Sequence, residues 1–413
     1  MDELRVSFPR LRARIDALAE LGAIDGGGSC RLALTDADRD GRDLVVTWMR
    51  DLGLRVDIDG IGNVVATWPP ESAEPPVLMG SHIDTVATGG IYDGCLGVLA
   101  GLEVIETVIT AGITTERPLA VAFFTDEEGS RFAPDMLGSL VFAGGMPLED
   151  GLSTVAVDGA ILQDELERIG YAGVEPCPSR PPRSYLELHI EQGPVLEAEG
   201  ITIGAVTGTQ AISWTEVTVK GQSNHAGTTP MDKRHDSGYV AARIATFVRD
   251  LVLRLGSAQV GTVGRVELHP NLVNVVAARA TLTVDLRNTD DAVLAEAERE
   301  LVDFISVIAK AEGVVVEQRS LARFDSVAFD EDVVALVEQV ARKHGHSVAR
   351  LPSGAGHDAQ MLAPVCPSGM IFVPSAKGIS HNPAEHTDDT DLEAGANVLL
   401  HCVLELAGAK DAS

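Results

Sequence analysis

Gly80-Ser81-His82-Ile83-Asp84-Thr85 closes an apolar run, Pro76-Val77-Leu78-Met79, and Asp93-Gly94 follows eleven residues after His82. Imidazole and carboxylate are the ligands a borderline divalent cation prefers, and a nearby acid such as Asp84 can fix the ring tautomer. The arrangement recurs along the chain. Leu119-Ala120-Val121-Ala122-Phe123-Phe124 ends in Thr125-Asp126-Glu127-Glu128-Gly129-Ser130. Adjacent glutamates at a strand end project in different directions, so one can hold a metal while the other stays free as a base. Ser184-Tyr185-Leu186-Glu187-Leu188-His189-Ile190 delivers His189 ahead of Glu191-Gln192-Gly193. Met370-Ile371-Phe372-Val373-Pro374 leads to Gly378-Ile379-Ser380-His381-Asn382-Pro383. Four apolar strands thus end in metal-competent side chains, at the edge where open α/β sheets build their sites.

The elements that must position these residues are legible too. Strand-like runs alternate with helical patterns up to about residue 207, among them Arg39 to Leu52 and Cys95 to Ala111. That alternation predicts an α/β layer fold with a mostly parallel central sheet. After Gly204-Ala205-Val206-Thr207-Gly208 the pattern changes. Residues 212–220 alternate as a half-exposed strand does. A helix over Asp236 to Arg254 follows, then strands near 260–268 and 274–287, a helix near 291–312 and a strand near 314–319. This β-α-β-β-α-β order predicts a ferredoxin-like α+β insert. From Asp330 the first pattern resumes, and His381 belongs with the first half's ligands. We therefore expect a discontinuous domain, 1–209 and 327–413, interrupted by an insert at 210–326, with hinges near 207–211 and 320–328.

Composition narrows the classes. The chain has 413 residues, 45% hydrophobic, but no apolar run long enough for a membrane span. Met1-Asp2-Glu3-Leu4-Arg5 is charged and lacks a signal-peptide core, so a cytoplasmic location is expected. Acidic residues number 61 against 32 basic ones, a net charge of −29 that disfavours nucleic acid and anionic membrane. A small anionic substrate would need a placed arginine. Cys30, Cys95, Cys177, Cys366 and Cys402 show no CxxC spacing, which fits a reducing compartment. Cys95 is close enough to Asp93 for a thiolate ligand to be conceivable; a small residue opening a helix is the favoured reading.

Gly-Ser-His-Ile-Asp-Thr (80–85), Asp-Glu-Glu-Gly-Ser-Arg-Phe (126–132), Glu-Leu-His-Ile-Glu-Gln-Gly-Pro-Val-Leu-Glu (187–197), Asn-His-Ala-Gly-Thr-Thr-Pro-Met (224–231), Gly-Ala-Gly-His-Asp-Ala (354–359) and Gly-Ile-Ser-His-Asn-Pro-Ala-Glu (378–385) occur in this order. Together they resemble the hydantoinase/carbamoylase family of dinuclear metal amidohydrolases, within the larger clan of zinc aminoacylases and carboxypeptidases. The likeness runs from about residue 10 to about 405.

The resemblance implies two divalent ions, Zn, Mn, Co or Ni. It places one on His82, Asp93 and His189 and the other on Asp93, Glu128 and His381, with Asp93 bridging and a hydroxide between the ions as nucleophile. One carboxylate can span ions roughly 3.5–4 Å apart. Glu127 is implied as general base and acid, and Asp84 as the acid bonded to the His82 ring. The insert is implied to be a lid that also forms a homodimer interface, with His225 crossing to the partner's active site to steady an oxyanion. Asn274, read as the start of the strand Asn274-Val275-Val276, would hydrogen-bond substrate. Arg287 would grip its carboxylate with a bidentate fork. Gln192 and the backbone around Gly356 would complete the pocket.

His189 carries the substrate inference. Peptidases of the larger clan usually have an acid there, whereas a histidine resembles the carbamoylase, ureidopropionase and allantoate-hydrolysing branch. We therefore expect hydrolysis of an N-carbamoyl-L-amino acid to amino acid, carbon dioxide and ammonia, with allantoate or N-carbamoyl-β-alanine as alternatives. A catalytically silent binding protein would not need Glu127, Asp93 and the full ligand shell. His357 is expected to shape the pocket wall. His386, where the family often has an aromatic residue, and Asn224, where a small one is common, are departures from the pattern.

Overall fold

The computed structural model describes residues 2–256 and 258–410. Thirteen strands are present among them. They are β1 (Arg55–Ile58), β2 (Val64–Trp68), β3 (Val77–His82), β4 (Leu119–Phe124), β5 (Ser184–Ile190), β6 (Ile203–Thr209), β7 (Ala211–Lys220), β8 (Val260–His269), β9 (Arg279–Asn288), β10 (Val315–Phe324), β11 (Val327–Ala328), β12 (Val348–Ser353) and β13 (Ser368–Val373). The chain divides into two compact units, 1–208 with 328–413, and 209–327.

In the larger unit the sheet runs β1-β2-β4-β3-β5-β13-β6-β11, with β12 paired to β6. Its centre, β4-β3-β5-β13, is parallel, and the pairs β1-β2, β2-β4 and β13-β6 are antiparallel. Every residue of β3, β4, β5 and β13 is buried. That is why these strands read as unbroken apolar runs, as parallel strands covered on both faces do. The helix Cys95–Thr110 is buried on nearly all sides, and its fully buried acid, Glu103, is met by Arg10 at 2.6 Å and Arg14 at 3.5 Å. Among the described residues no helix is long and apolar enough to cross a membrane.

The second unit is a four-stranded antiparallel sheet, β10-β7-β9-β8. Two helices, Ser237–Leu255 and Asp291–Glu312, connect its strands in β-α-β-β-α-β order. Asp236 and Asp290 cap them, each carboxylate accepting two backbone N–H groups of the first turn. Val217, Val219, Leu282, Val284 and Leu286 face Val240, Ile244, Val248, Leu294 and Leu301 in one core. One expectation fails here. Asn274 does not begin a strand: β9 starts only at Arg279, and residues 273–274 form a turn. The Val-rich sequence suggests extended structure, but only Val275 pairs, in an isolated bridge with His225.

Candidate metal centre

The parallel register aligns His82 with Phe124 and His189 with Phe372, so β3, β4, β5 and β13 end side by side. His82 is the last residue of β3, and Asp126-Glu127-Glu128 turn away from β4 with Asp126 in the left-handed region, φ 56°. Asp93 sits on the loop ahead of the helix Cys95–Thr110, and His381, also left-handed at φ 54°, lies on the loop after β13.

Asp93 is the junction. Its Oδ1 lies 3.1 Å from His189 Nε2 and 3.8 Å from His82 Nε2, while its Oδ2 lies 3.3 Å from His381 Nε2. His381 Nε2 in turn stands 3.4 Å from Glu128 Oε2. Two donor groups result, His82-Asp93-His189 and Asp93-Glu128-His381, each compact enough for one ion. Glu127 is buried beside them, its Oε2 3.3 Å from His82 Nε2. A third cluster, Glu187-His189-His357, lies behind. There Glu187 accepts from Ser81, Tyr185 and the Ala359 N–H, and His357 bonds Ser353 at 2.8 Å while packing edge-on to His189. His357 thus braces the His189 ring.

Main-chain carbonyls fix the tautomers. Nδ1–H of His82 donates to the Asp84 carbonyl at 2.9 Å, and Nδ1–H of His189 to the Ile190 carbonyl at 2.8 Å. Both Nε2 atoms are thereby left on the side of Asp93, where a ligand nitrogen must be, and that of His189 also meets the Gly94 N–H at 3.1 Å. This corrects the expectation for Asp84. Its carboxylate is 3.8 Å from the His82 ring and instead accepts the backbone N–H groups of Glu127 at 3.4 Å and Glu128 at 3.3 Å. Asp84 holds the glutamate turn, because the strand end aims its carbonyl, and not its side chain, at the imidazole.

The donor set suits divalent cations. Burial, then the neighbouring acids, pushes Glu127 and Glu128 well above the usual carboxylate range, and burial followed by Asp38 lifts Asp84 to about 7. Burial opposes ionisation of Asp93 also, but His189 and His381 hold it well below its ordinary value. Among the described residues the ion pairs of Asp84, Asp93, Glu127 and Glu128 are all with histidines. Clustered carboxylates that have only histidines within ion-pair distance are an arrangement that bound cations stabilise.

Other expected residues fall as follows. Gln192 donates to Asp93 Oδ2 at 3.0 Å, and Gly356 packs against the Met136 thioether. Cys95 faces away from the ligands: Arg31 donates to its sulfur at 3.2 Å, and burial pushes its thiol up to about 11. His386 packs edge-on to Tyr92 with centroids 6.3 Å apart. In the second unit, His225 Nδ1 accepts the N–H groups of Gly227 at 3.0 Å and Thr228 at 3.2 Å, so its proton lies on Nε2 and the exposed tip is a donor. Asn274 lies on the adjoining segment, its carbonyl accepting from the Ala226 N–H at 2.9 Å. Arg287 is gripped by Asp285 on the same strand through contacts of 2.9 to 3.1 Å. Sequence reasoning missed Ser380 and Glu385, although both lie inside the quoted motif around His381. Ser380 reaches Asp93 Oδ2 at 3.3 Å and Glu385 at 2.9 Å. The overlooked signal was an acid four residues beyond a ligand, on a Pro-containing turn.

The sequence profile of peptidase family M20/M25/M40 matches residues 78–405. The chain belongs to that family. An amidase of the hydantoinase/carbamoylase family from Burkholderia vietnamiensis has a crystal structure that superimposes with a TM-score of 0.92 at 45% identity, covering 100% of both chains. The N-carbamoyl-L-amino-acid amidohydrolase of Rhizobium meliloti is 42% identical, over 98% of this chain and 97% of that protein. The allantoate amidohydrolase of Escherichia coli is 35% identical, over 95% of this chain and 96% of that protein. As a member of the M20/M25/M40 and hydantoinase/carbamoylase families, the chain is similar to amidohydrolases over its length.

Proposed function

We propose that this protein hydrolyses the ureido C–N bond of an N-carbamoyl-L-amino acid, giving the amino acid, carbon dioxide and ammonia. The observation that carries this reading is Asp93, whose two oxygens face two separate histidine-containing donor groups. In the proposal His82, Asp93 and His189 hold one divalent ion and Asp93, Glu128 and His381 a second. Ions so placed supply Lewis acidity and acidify water to near neutral pH. Zinc, manganese, cobalt and nickel all suit this donor set.

Glu127 takes the proton of the attacking water and returns it to the leaving nitrogen, a task its burial favours by raising its proton affinity. Asp84 keeps Glu127 and Glu128 in register through their backbone N–H groups. From the second unit, Arg287 is assigned to the substrate carboxylate and Asn274 to its polar groups; from the larger unit, Gln192 is assigned to its polar groups and Gly356 to the pocket lining. His225, with its donor tip, is assigned to the oxyanion of a partner subunit's site, which makes the active species a homodimer whose inserted unit serves as lid and interface. A cytoplasmic location suits such a small-molecule enzyme.

The 35% identity to an allantoate amidohydrolase favours allantoate as the second reading. Ammonia release from N-carbamoyl-L-methionine, its D-enantiomer, N-carbamoyl-β-alanine, allantoate and a dipeptide, with and without manganese, tests both. Metal-dependent turnover of the L-carbamoyl compound supports the proposal. Preference for allantoate or the β-alanine derivative replaces the substrate, and cleavage of the dipeptide alone overturns the ureido assignment.

A further inference from the structure

Ligands of the two donor groups are held differently. His82 and His189 belong to buried strands, whereas the His381 side chain is half exposed and sits on an irregular loop. Something else must fix that loop relative to Asp93. Glu385 does so. It is buried, 6% exposed, and nearly three hundred residues from Asp93 in sequence. Its Oε1 accepts the backbone N–H groups of both Tyr92 and Asp93 at 3.2 Å, and its Oε2 accepts the Ser380 hydroxyl at 2.9 Å. One carboxylate therefore joins the segment carrying Asp93 to the residue immediately before His381. The fit is close: a Cβ on Gly90 would collide with the Glu385 side chain. The base of the clamp is itself rigid, since the Glu385 N–H donates to the Asn382 carbonyl at 2.9 Å across the turn containing Pro383.

We infer that Glu385 is a positioning residue that sets the second metal position selectively, by holding Asp93 Oδ2 and His381 Nε2 at a common distance. The inference rests on the reading that Asp93, Glu128 and His381 hold an ion. Partners that orient ligands typically change metal affinity about 10- to 100-fold when removed. The His82-Asp93-His189 group keeps two strand-borne ligands and loses less.

Calorimetric titration of the metal-free protein with manganese, together with elemental analysis after dialysis, tests this directly. Wild type should bind two ions per chain. Glu385→Ala should keep the first near wild-type affinity and weaken the second about 10- to 100-fold. Glu385→Gln should recover most of the loss, because the amide oxygen still accepts the two N–H groups and the amide nitrogen can donate to Ser380. Should Glu385→Ala fail to fold, Ser380→Ala leaves the Glu385 bonds to the Tyr92 and Asp93 N–H groups in place, removes the Ser380 contacts to Glu385 and to Asp93 Oδ2, the oxygen facing His381, and should weaken the second ion alone. Two ions at wild-type affinity in the alanine variants, or equal weakening of both, overturn the inference. A single ion in the wild type overturns the dinuclear reading and the clamp with it, a failure visible in the same titration before any variant is compared.

Discussion

Gly94 lies flat against the imidazole of His82: a Cβ built on it would collide with Nε2, Cε1 and Cδ2 together. Its backbone is also left-handed, φ 62°, which glycine adopts without strain. Any side chain here must push the ring off its place or shift Asp93, the preceding residue. Gly94→Ala should therefore lose the ion of the His82-Asp93-His189 group and lower kcat/KM by about 10²-fold or more, as ångström-scale misplacement of reacting groups does. Metal analysis and steady-state kinetics check it. Unchanged metal content with unchanged kinetics would show that the ring need not stay where it is.

Glu127 offers a different signature. It touches Nε2 of His82 at 3.3 Å but belongs to neither Asp93-containing donor group. Glu127→Gln preserves volume and removes the base. Turnover should fall by about 10²- to 10⁴-fold while two ions remain bound. Loss of metal alongside activity would mean that Glu127 is a ligand and that another group moves the proton.

How much of this was readable beforehand follows from where each signal resides. β4 and β5 have the boundaries that their apolar runs suggest, because parallel strands buried on both faces leave an uninterrupted hydrophobic signature. The side chains around Asp93 were legible for the same reason: each follows such a run. What stayed hidden depends on backbone direction or distant contacts. Asp84 lies two residues from His82, which suggests a carboxylate–imidazole bond, yet the strand end presents its carbonyl instead. Asn274 precedes two valines and looked extended, but the turn at 273–274 keeps the ladder from forming until Arg279. Glu385 acts across nearly the whole length of the chain, and no local pattern announces that.

Arg287 should separate recognition of the substrate carboxylate from chemistry. Asp285 holds its guanidinium from the same strand, so the fork is oriented before any substrate arrives. Lysine cannot reproduce a bidentate contact. Arg287→Lys should lower kcat/KM for an N-carbamoyl-amino acid by about 10- to 100-fold, the worth of a hydrogen bond to a charged group, mainly through KM. The corresponding amide, which lacks the carboxylate, should be affected little. An equal effect on both substrates would remove Arg287 from carboxylate recognition.

Acid stability should depend on His401, far in sequence from the ligands. Its Nε2–H donates to the Leu4 carbonyl at 3.0 Å, and its ring stacks on His344 with centroids 4.1 Å apart. Burial, then repulsion from His344, lowers its pKa to about 4. An unfolded histidine titrates near 6.5. Between those values the unfolded chain binds a proton that the folded chain refuses, so stability falls as pH drops from about 6.5 to about 4 and is unaffected by this group above that window. Allowing for partial solvent screening, the loss should be about 1–2 kcal/mol. Glutamine can keep the bond to Leu4 without titrating. The difference in urea unfolding free energy between wild type and His401→Gln should therefore shift by that amount, against the wild type, between pH 7 and pH 4.5. Parallel pH profiles would mean that the folded protein admits a proton on this ring as readily as the unfolded chain does.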